Sequence, residues 1–189
     1  MVTAGMMPRA ALREVEHRLA AAGCPDADFD AGELFRLVVE QDVRLASEPL
    51  TAAQAERLEA LTVRREQREP LQYLCGRWPF LDFELAVGPG VLCPRADTEV
   101  VAEAAAQTLA GVKAPRVLDL CAGTGCLGLG VKRFCPDARV TCVEKSPEAF
   151  RYLEQNVRSA LPGAVPAAQA VQGDLFTYWK TLPEGQLDL

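Results

Sequence analysis

The sequence predicts a mixed α/β protein in which a small helical bundle precedes a β-hairpin and a parallel sheet. Three observations lead to this fold class. Apolar residues recur at helical spacing through residues 10–68, strand-like and helix-like segments alternate after Gly111, and a glycine loop follows the first of those strands. With 189 residues, of which 49% are apolar, the chain is long enough for one domain or two small ones.

Three helices are predicted in the N-terminal part. The third begins at Thr51, where Thr51 and Gln54 form a capping box: the threonine hydroxyl accepts the Gln54 amide proton, and the Gln54 side chain returns to the Thr51 backbone. Because apolar stripes must pack on one another, we expect a helical bundle. The stripes of the first two helices consist of Leu12, Val15, Leu19 and Ala22, and of Ala31, Leu34, Phe35, Val38 and Val39.

The pattern changes after Glu69-Pro70. Apolar residues alternate from Phe83 to Val87, and a Gly88-Pro89-Gly90 turn leads to Val91-Leu92, which predicts a β-hairpin. Asp97 or Thr98 is expected to cap a further helix that extends to about residue 110. We therefore expect a helical domain over residues 1–74, a hairpin linker over 75–95 and a sheet domain over 96–189.

Strand-like runs at residues 116–120, 139–143 and 169–172 alternate with helix-like stretches. This is the pattern of a βαβαβ unit with parallel strands. Ser146 followed by Pro147 predicts a helix start between the second and third strands. Residues 187–189 resemble the beginning of a fourth strand.

Composition excludes several classes of function. The formal net charge of −6 argues against nucleic-acid binding driven by bulk charge. Apolar runs fall well short of the ~20 residues that a membrane span requires, and no secretory signal is evident, so we expect a cytoplasmic protein without membrane contact. Seven cysteines without a CxxC pair are expected to be free thiols. His17, the only histidine, is expected at the surface, which excludes hydrolase triads and His-rich zinc sites, and no metal is predicted.

The glycine loop lies between the first predicted strand and the helix that follows. Its Gly123-x-Gly125-x-x-Gly128 spacing permits a sharp turn and the close approach of a ligand. The same spacing fits the dinucleotide fingerprint, with Glu144 about 20 residues further on as the ribose-binding acid. A nicotinamide-dependent oxidoreductase is therefore one interpretation.

Acidic residues favour a different ligand. Asp119, Glu144 and Asp174 each follow or end a predicted strand, and the carboxyl ends of parallel strands meet at one edge of a sheet. Three carboxylates there disfavour a pyrophosphate but suit S-adenosylmethionine, which carries a sulfonium, an ammonium group, hydroxyls and an amine. An alternative is that Asp119 and Glu144 only cap helices.

Three stretches of the chain resemble one enzyme family. They are Glu-Pro-Leu-Gln-Tyr-Leu-Cys-Gly at 69–76, Pro-Arg-Ala-Asp-Thr-Glu at 94–99 and the loop at 119–125, and they are similar to the bacterial release factor glutamine methyltransferases. The second stretch is the most specific. The resemblance implies a doubly wound, Rossmann-like methyltransferase domain, here its N-terminal half, behind a helical substrate-recognition domain. It also implies methyl transfer from S-adenosylmethionine to the glutamine of the Gly-Gly-Gln motif in peptide chain release factors, the expected protein partners, with no direct nucleic-acid contact.

The resemblance also assigns residues to the cofactor site. Glu144 would bind the ribose hydroxyls, and Asp174 and Leu175 would flank the adenine. Asp119 belongs to the same cofactor-binding set, and the family commonly has glycine in place of Cys121 and an aromatic residue in place of Leu175. The cofactor loop would comprise Cys121, Ala122, Gly123, Thr124 and Gly125.

No catalytic residue is assigned. The family's Asn-Pro-Pro-Tyr motif is expected a few residues after Leu189, so the 189-residue chain is expected to be inactive and to leave the strand 116–120 with an unpaired edge. Other interpretations remain open: a methyltransferase for another protein amide or a nucleic-acid amine, the nicotinamide-dependent oxidoreductase, or a binding protein without catalysis.

Overall fold

The computed structural model describes residues 1–165, 167–182 and 185–189. They form two compact units, Met1–Cys75 and Gly76–Leu189. No helix in this part of the chain is both long enough and apolar enough to cross a membrane.

The first unit is a helical bundle, as predicted. The capping box predicted for the third helix is confirmed, because Thr51 Oγ1 accepts the Gln54 N–H at 3.3 Å and Gln54 Oε1 accepts the Thr51 N–H at 2.9 Å. His17 is exposed, as expected. A short fourth helix was not predicted. The helices are α1 (Pro8–Ala21), α2 (Ala27–Val39), α3 (Ala52–Glu66) and α4 (Leu71–Cys75).

Apolar stripes and shielded ion pairs hold the bundle together. Val15, Leu34 and Leu58, from α1, α2 and α3, are each completely buried. Arg65 on α3 donates from Nε to Asp30 Oδ2 on α2 at 2.7 Å, with both side chains almost inaccessible to solvent. The helices are therefore joined by charge as well as by apolar contact.

The second unit opens with the hairpin, formed by antiparallel strands β1 (Arg77–Phe80) and β2 (Phe83–Ala86). The predicted hairpin exists, but the predicted position of its turn is wrong: the chain reverses at Leu81-Asp82 and not at Gly88-Pro89-Gly90. Gly90 also permits close packing, since a Cβ at this position would lie 2.6 Å from Glu148 Cβ on the helix α7 (Pro147–Ser159).

Contacts from two helices hold the hairpin tip. Leu81 has a positive φ of 53° and donates its N–H to Glu99 Oε1 at 2.8 Å. Asp82 accepts hydrogen bonds from the guanidinium of Arg133, with Nε 2.9 Å from Oδ1. Glu99 belongs to α5 (Ala96–Thr108) and Arg133 to α6 (Cys126–Phe134). The hairpin is therefore an integral part of the second unit.

The cap predicted for α5 is wrong. Arg95 is the N-cap residue and makes no side-chain cap bond, while Asp97 and Thr98 lie inside the first turn. The helix starts one or two residues earlier than predicted, since the backbone of Arg95 is extended and Ala96 is the first helical residue. Asp97 can favour the helix N-terminus only through its charge.

A parallel sheet forms the centre of the second unit, and its predicted strands are confirmed. They are β3 (Arg116–Leu120), β4 (Arg139–Glu144) and β5 (Gln169–Gln172), hydrogen-bonded in the order β3-β4-β5. Helix α6 connects β3 to β4, and α7 connects β4 to β5. The predicted start of α7 is also confirmed, because Ser146 Oγ accepts the Ala149 N–H. After β5 come α8 (Leu175–Tyr178) and the 3-10 helix Trp179–Thr181.

The chain then returns to the other side of β3. Asp188 N–H donates to Arg116 O at 2.9 Å, and Leu118 N–H donates to Leu189 O at 3.1 Å. The expectation of an unpaired edge is therefore wrong at Arg116 and Leu118. Residues 187–189 are not assigned to a strand among the described residues, but they lie where a doubly wound sheet reverses its strand order. Ligands bind such sheets beyond the carboxyl ends of the strands.

Candidate functional site

The glycine loop joins β3 to α6 by a sharp turn. Cys121, Gly123 and Gly125 have φ values of 62°, 57° and 81°, all in the left-handed region. The loop is anchored at Ala122, whose N–H donates to Val143 O at 3.0 Å and whose carbonyl accepts the Gly125 N–H at 2.7 Å. These bonds hold the loop against the end of β4.

Asp119 lies behind this loop. Its side chain is almost buried, and Oδ2 accepts the N–H of Gly128 in the first turn of α6 at 2.9 Å. Asp119 therefore satisfies a helix N-terminus, as the capping alternative proposed. Burial raises the pKa of Asp119 to about 6; the Gly128 hydrogen bond opposes that increase, and the charge of Glu144 adds to it.

Glu144 ends β4 and connects two turns. Oε2 accepts the N–H of Gly123 at 2.9 Å, and Oε1 accepts the N–H of Ser146 at 2.8 Å. Because Ser146 caps α7 with its own hydroxyl, Glu144 is not the helix cap that the alternative required. Each carboxylate oxygen keeps a lone pair for a further donor.

Asp174 follows β5 and caps the short helix α8. Oδ1 accepts the N–H of Phe176 at 2.9 Å, while Oδ2 lies 2.9 Å from Nζ of Lys145. The hydrogen bond from Lys145 lowers the pKa of Asp174. Leu175 is the first residue of α8 and is half-buried. The cation of Lys145 beside Asp174 was not predicted.

The predicted residues meet at the carboxyl ends of adjacent strands. Asp119 and residues 121–125 end or follow β3, Glu144 ends β4, and Asp174 and Leu175 follow β5. The ends of β4 and β5 are joined by the Gly173 N–H, which donates to Glu144 O at 3.0 Å. The three acids differ in accessibility, since Asp119 faces inwards while Glu144 and Asp174 are only partly covered.

Sequence reasoning missed Asn156 on α7. This side chain is completely buried and donates from Nδ2 to Thr124 O, in the glycine loop, at 2.9 Å. A signal was available, because Ala149, Leu153 and Asn156 lie on the buried face of α7 and an amide there breaks an apolar stripe.

The chemistry of the site favours a ligand that donates hydrogen bonds. A pyrophosphate on this loop would need the Gly123 N–H, which is already bonded to a carboxylate, and would meet the charge of Glu144. Ribose hydroxyls and an amine meet available carboxylate lone pairs instead. The residues therefore fit S-adenosylmethionine better than a dinucleotide.

Comparison with known families agrees with this chemistry. A family model described as the methyltransferase small domain matches residues 84–188, more than half of the chain. The chain belongs to this methyltransferase family. A second family model, described as the PrmC N-terminal domain, matches residues 10–76 of the same chain.

Individual relatives carry a more specific name. The chain is 35% identical over 185 residues to a release factor glutamine methyltransferase of Streptomyces coelicolor, covering 95% of this chain and 62% of that protein. It is 36% identical over 155 residues to the enzyme of the same name from Bifidobacterium longum, covering 77% and 53%. A Moorella thermoacetica relative of that name is 34% identical over 175 residues, covering 90% and 61%. The resemblance inferred from the motifs is confirmed, and the chain spans roughly half to three-fifths of these relatives' lengths.

Proposed function

We propose that the protein is a methyltransferase that uses S-adenosylmethionine as its methyl donor. The observation that supports this most directly is the hydrogen bond between the Gly123 N–H and Glu144, which brings negative charge to the glycine loop itself. When bound, S-adenosylmethionine supplies an electrophilic methyl group on a sulfonium. The charge at Glu144 is compatible with that cation and unfavourable for a pyrophosphate.

The residues of the site have separate roles in this proposal. The loop 121–125 lets the ligand approach the backbone, because the left-handed turns at Gly123 and Gly125 carry no Cβ. Glu144 accepts the ribose hydroxyls, and Asp174 with Leu175 flanks the adenine. Asp119 contributes indirectly, by fixing the first turn of α6 through Gly128.

A cofactor titration tests this proposal. Calorimetry on the full-length protein should give tighter binding of S-adenosylhomocysteine than of NAD. Glu144→Ala should weaken the first by about 1.5–3 kcal/mol, because hydrogen bonds to a charged group are lost. Glu154→Ala is the matched control, since Glu154 is an acid on α7 that pairs with Arg158. Equal affinities for wild type and Glu144→Ala, or tighter binding of NAD, would contradict the proposal.

We further propose that the methyl acceptor is the side-chain nitrogen of glutamine in the Gly-Gly-Gln motif of peptide chain release factors. The names of the relatives support this substrate. In this proposal the helical residues 1–74 recognise the release factor. Residues 75–95 would then connect this part to the cofactor-binding residues 96–189, with the hairpin packed as part of the second unit. Release factors act in the cytoplasm, where this proposal also places the protein.

Transfer of labelled methyl groups measures this activity. The full-length protein should label a release factor, and a release factor with Gln→Ala in the Gly-Gly-Gln motif should stay unlabelled. Labelling of both forms, or of neither, would contradict the substrate assignment while leaving the cofactor proposal to be judged by its own titration.

A further inference from the structure

We propose that Asn156 is a positioning residue that fixes the cofactor loop to the hairpin; its functional consequence rests on the proposed use of S-adenosylmethionine. Asn156 is completely buried on α7. Its Nδ2 donates to Thr124 O at 2.9 Å and to Ala86 O at 3.1 Å, and its Oδ1 accepts the Ala86 N–H at 2.7 Å. One amide therefore joins the glycine loop to the last residue of β2.

Each polar atom of the buried Asn156 side chain takes part in a hydrogen bond. Both amide protons are donated and the carbonyl oxygen is occupied, so the side chain has one orientation that satisfies all its partners. A buried network that is completely satisfied is rigid, whereas the loss of one member leaves the other polar groups unpaired. Removal of Asn156 would leave three main-chain groups without this partner.

A second contact from α7 reaches the same loop. Leu153 lies one turn before Asn156, and its Cδ1 would be 2.7 Å from a Cβ at Gly125. Helix α7 thus supports the loop at two consecutive residues, through the carbonyl of Thr124 and the Cα of Gly125. Because Gly123 and Gly125 are conformationally permissive, contacts of this kind are needed to select one loop conformation.

The role of Asn156 differs from that of an ordinary core residue. An apolar side chain at the same place would fill the space but would leave the Thr124 carbonyl and the Ala86 backbone unpaired. We therefore expect Asn156 to control the order of the glycine loop more strongly than it controls the packing of α7. Cofactor affinity should follow loop order, because a disordered loop must be ordered when the ligand binds.

Hydrogen exchange in the full-length protein without cofactor tests this directly. The informative amides are those of Gly123, Gly125 and Gly128, which bond to Glu144, Ala122 and Asp119. In Asn156→Ala they should exchange about tenfold faster or more, relative to amides of β4, since loss of a hydrogen bond is of that order. Affinity for S-adenosylhomocysteine should fall by about tenfold in the same variant.

Val157→Ala is the matched control. Val157 is the next residue of α7 and packs partly against the core of the second unit. This variant should lower the thermal midpoint without selective loss of protection in the loop. If Asn156→Ala does not fold, Asn156→Leu provides the measurement, because leucine has a similar volume but can neither donate to Thr124 O and Ala86 O nor accept the Ala86 N–H.

The possible outcomes separate the two proposals. Loss of loop protection in an Asn156 variant, without the same loss in Val157→Ala, supports the positioning role. Failure of the wild type to bind S-adenosylhomocysteine would overturn the cofactor proposal but not the positioning role. Unchanged loop protection in the Asn156 variants, or equal loss in Val157→Ala, would overturn the positioning role.

Discussion

Asp119 carries a carboxylate that the fold holds away from water at the end of β3. Burial raises the pKa of Asp119 from 3.8 to about 6. Between pH 3.8 and about pH 6, the folded protein therefore keeps this proton while the unfolded chain has lost it. Ionisation of Asp119 therefore lowers the free energy of unfolding as the pH rises through this window.

Asp119→Asn should remove this dependence, because the amide is neutral and its carbonyl can still accept the Gly128 N–H. At 1.36 kcal/mol per pH unit, we expect the free energy of unfolding of the variant to gain about 2 kcal/mol relative to wild type between about pH 4 and about pH 7. Urea denaturation at several pH values measures the difference. A difference that does not change with pH would show that Asp119 is hydrated in the folded protein.

At the same scale, the strand ends could be predicted but the directions of the side chains could not. Asp119 and Glu144 were placed at the strand ends because periodicity shows where a strand stops. Whether each carboxylate faces the crevice or the adjoining helix depends on the N–H groups near it, and these come from the tertiary fold. The hydrogen-bond partners of Asn156 could not be predicted for the same reason, since Ala86 and Thr124 are 70 and 32 residues away.

Among the elements, the hairpin depends on an acid that belongs to a helix. Glu99→Ala should lower the free energy of unfolding by about 1–2 kcal/mol, because the N–H of Leu81 loses its acceptor in a turn where leucine adopts a positive φ. Glu103→Ala, at an exposed position one turn further along α5, should change it by less than about 0.5 kcal/mol.

Denaturant titration measures the free energy of unfolding of the Glu99→Ala and Glu103→Ala variants. Removal of the ion pair by Asp82→Ala should have a smaller effect than Glu99→Ala, because the Asp82 and Arg133 side chains are both about half exposed. Equal losses for Glu99→Ala and Glu103→Ala would indicate that the hairpin turn is stable without its acceptor.

The hairpin also shows where local sequence rules fail for whole elements. Gly88-Pro89-Gly90 has the composition of a turn, and a turn does form there, since the Val91 N–H bonds to Gly88 O. The strands nevertheless reverse at Leu81-Asp82, where local propensity gives little indication. Glu99 and Arg133 supply the missing stabilisation from 18 and 51 residues further along the chain. The helices and parallel strands were predictable because their apolar periodicity is local and strong.

For the molecule as a whole, the division into two units predicts that a destabilising substitution in one core leaves the amide protection of the other unit unchanged. Asp30→Ala leaves the guanidinium of Arg65 shielded from water without its carboxylate, which should cost about 3–5 kcal/mol. We expect amides of α1, α2 and α3 to lose protection in hydrogen exchange, while amides of β3 and β4 keep theirs.

Glu33→Ala serves as the comparison in the first unit. Glu33 pairs with Arg36 on the surface of α2, and its removal should cost less than about 1 kcal/mol. Loss of protection in β3 and β4 on Asp30→Ala would mean that the two units unfold as one cooperative block.

The double hydrogen bond of Glu144 has a consequence for the thermodynamics of ligand binding. A free glutamate side chain loses up to about 1.5–2 kcal/mol of rotational entropy when it is immobilised. In this protein Gly123 and Ser146 already hold the carboxylate, so that loss occurs when the chain folds and not when a ligand arrives. A ligand that binds this carboxylate should therefore lose little binding free energy to ordering of the Glu144 side chain. Because the side chain is ordered before any ligand arrives, this saving should be the same for rigid and for flexible ligands.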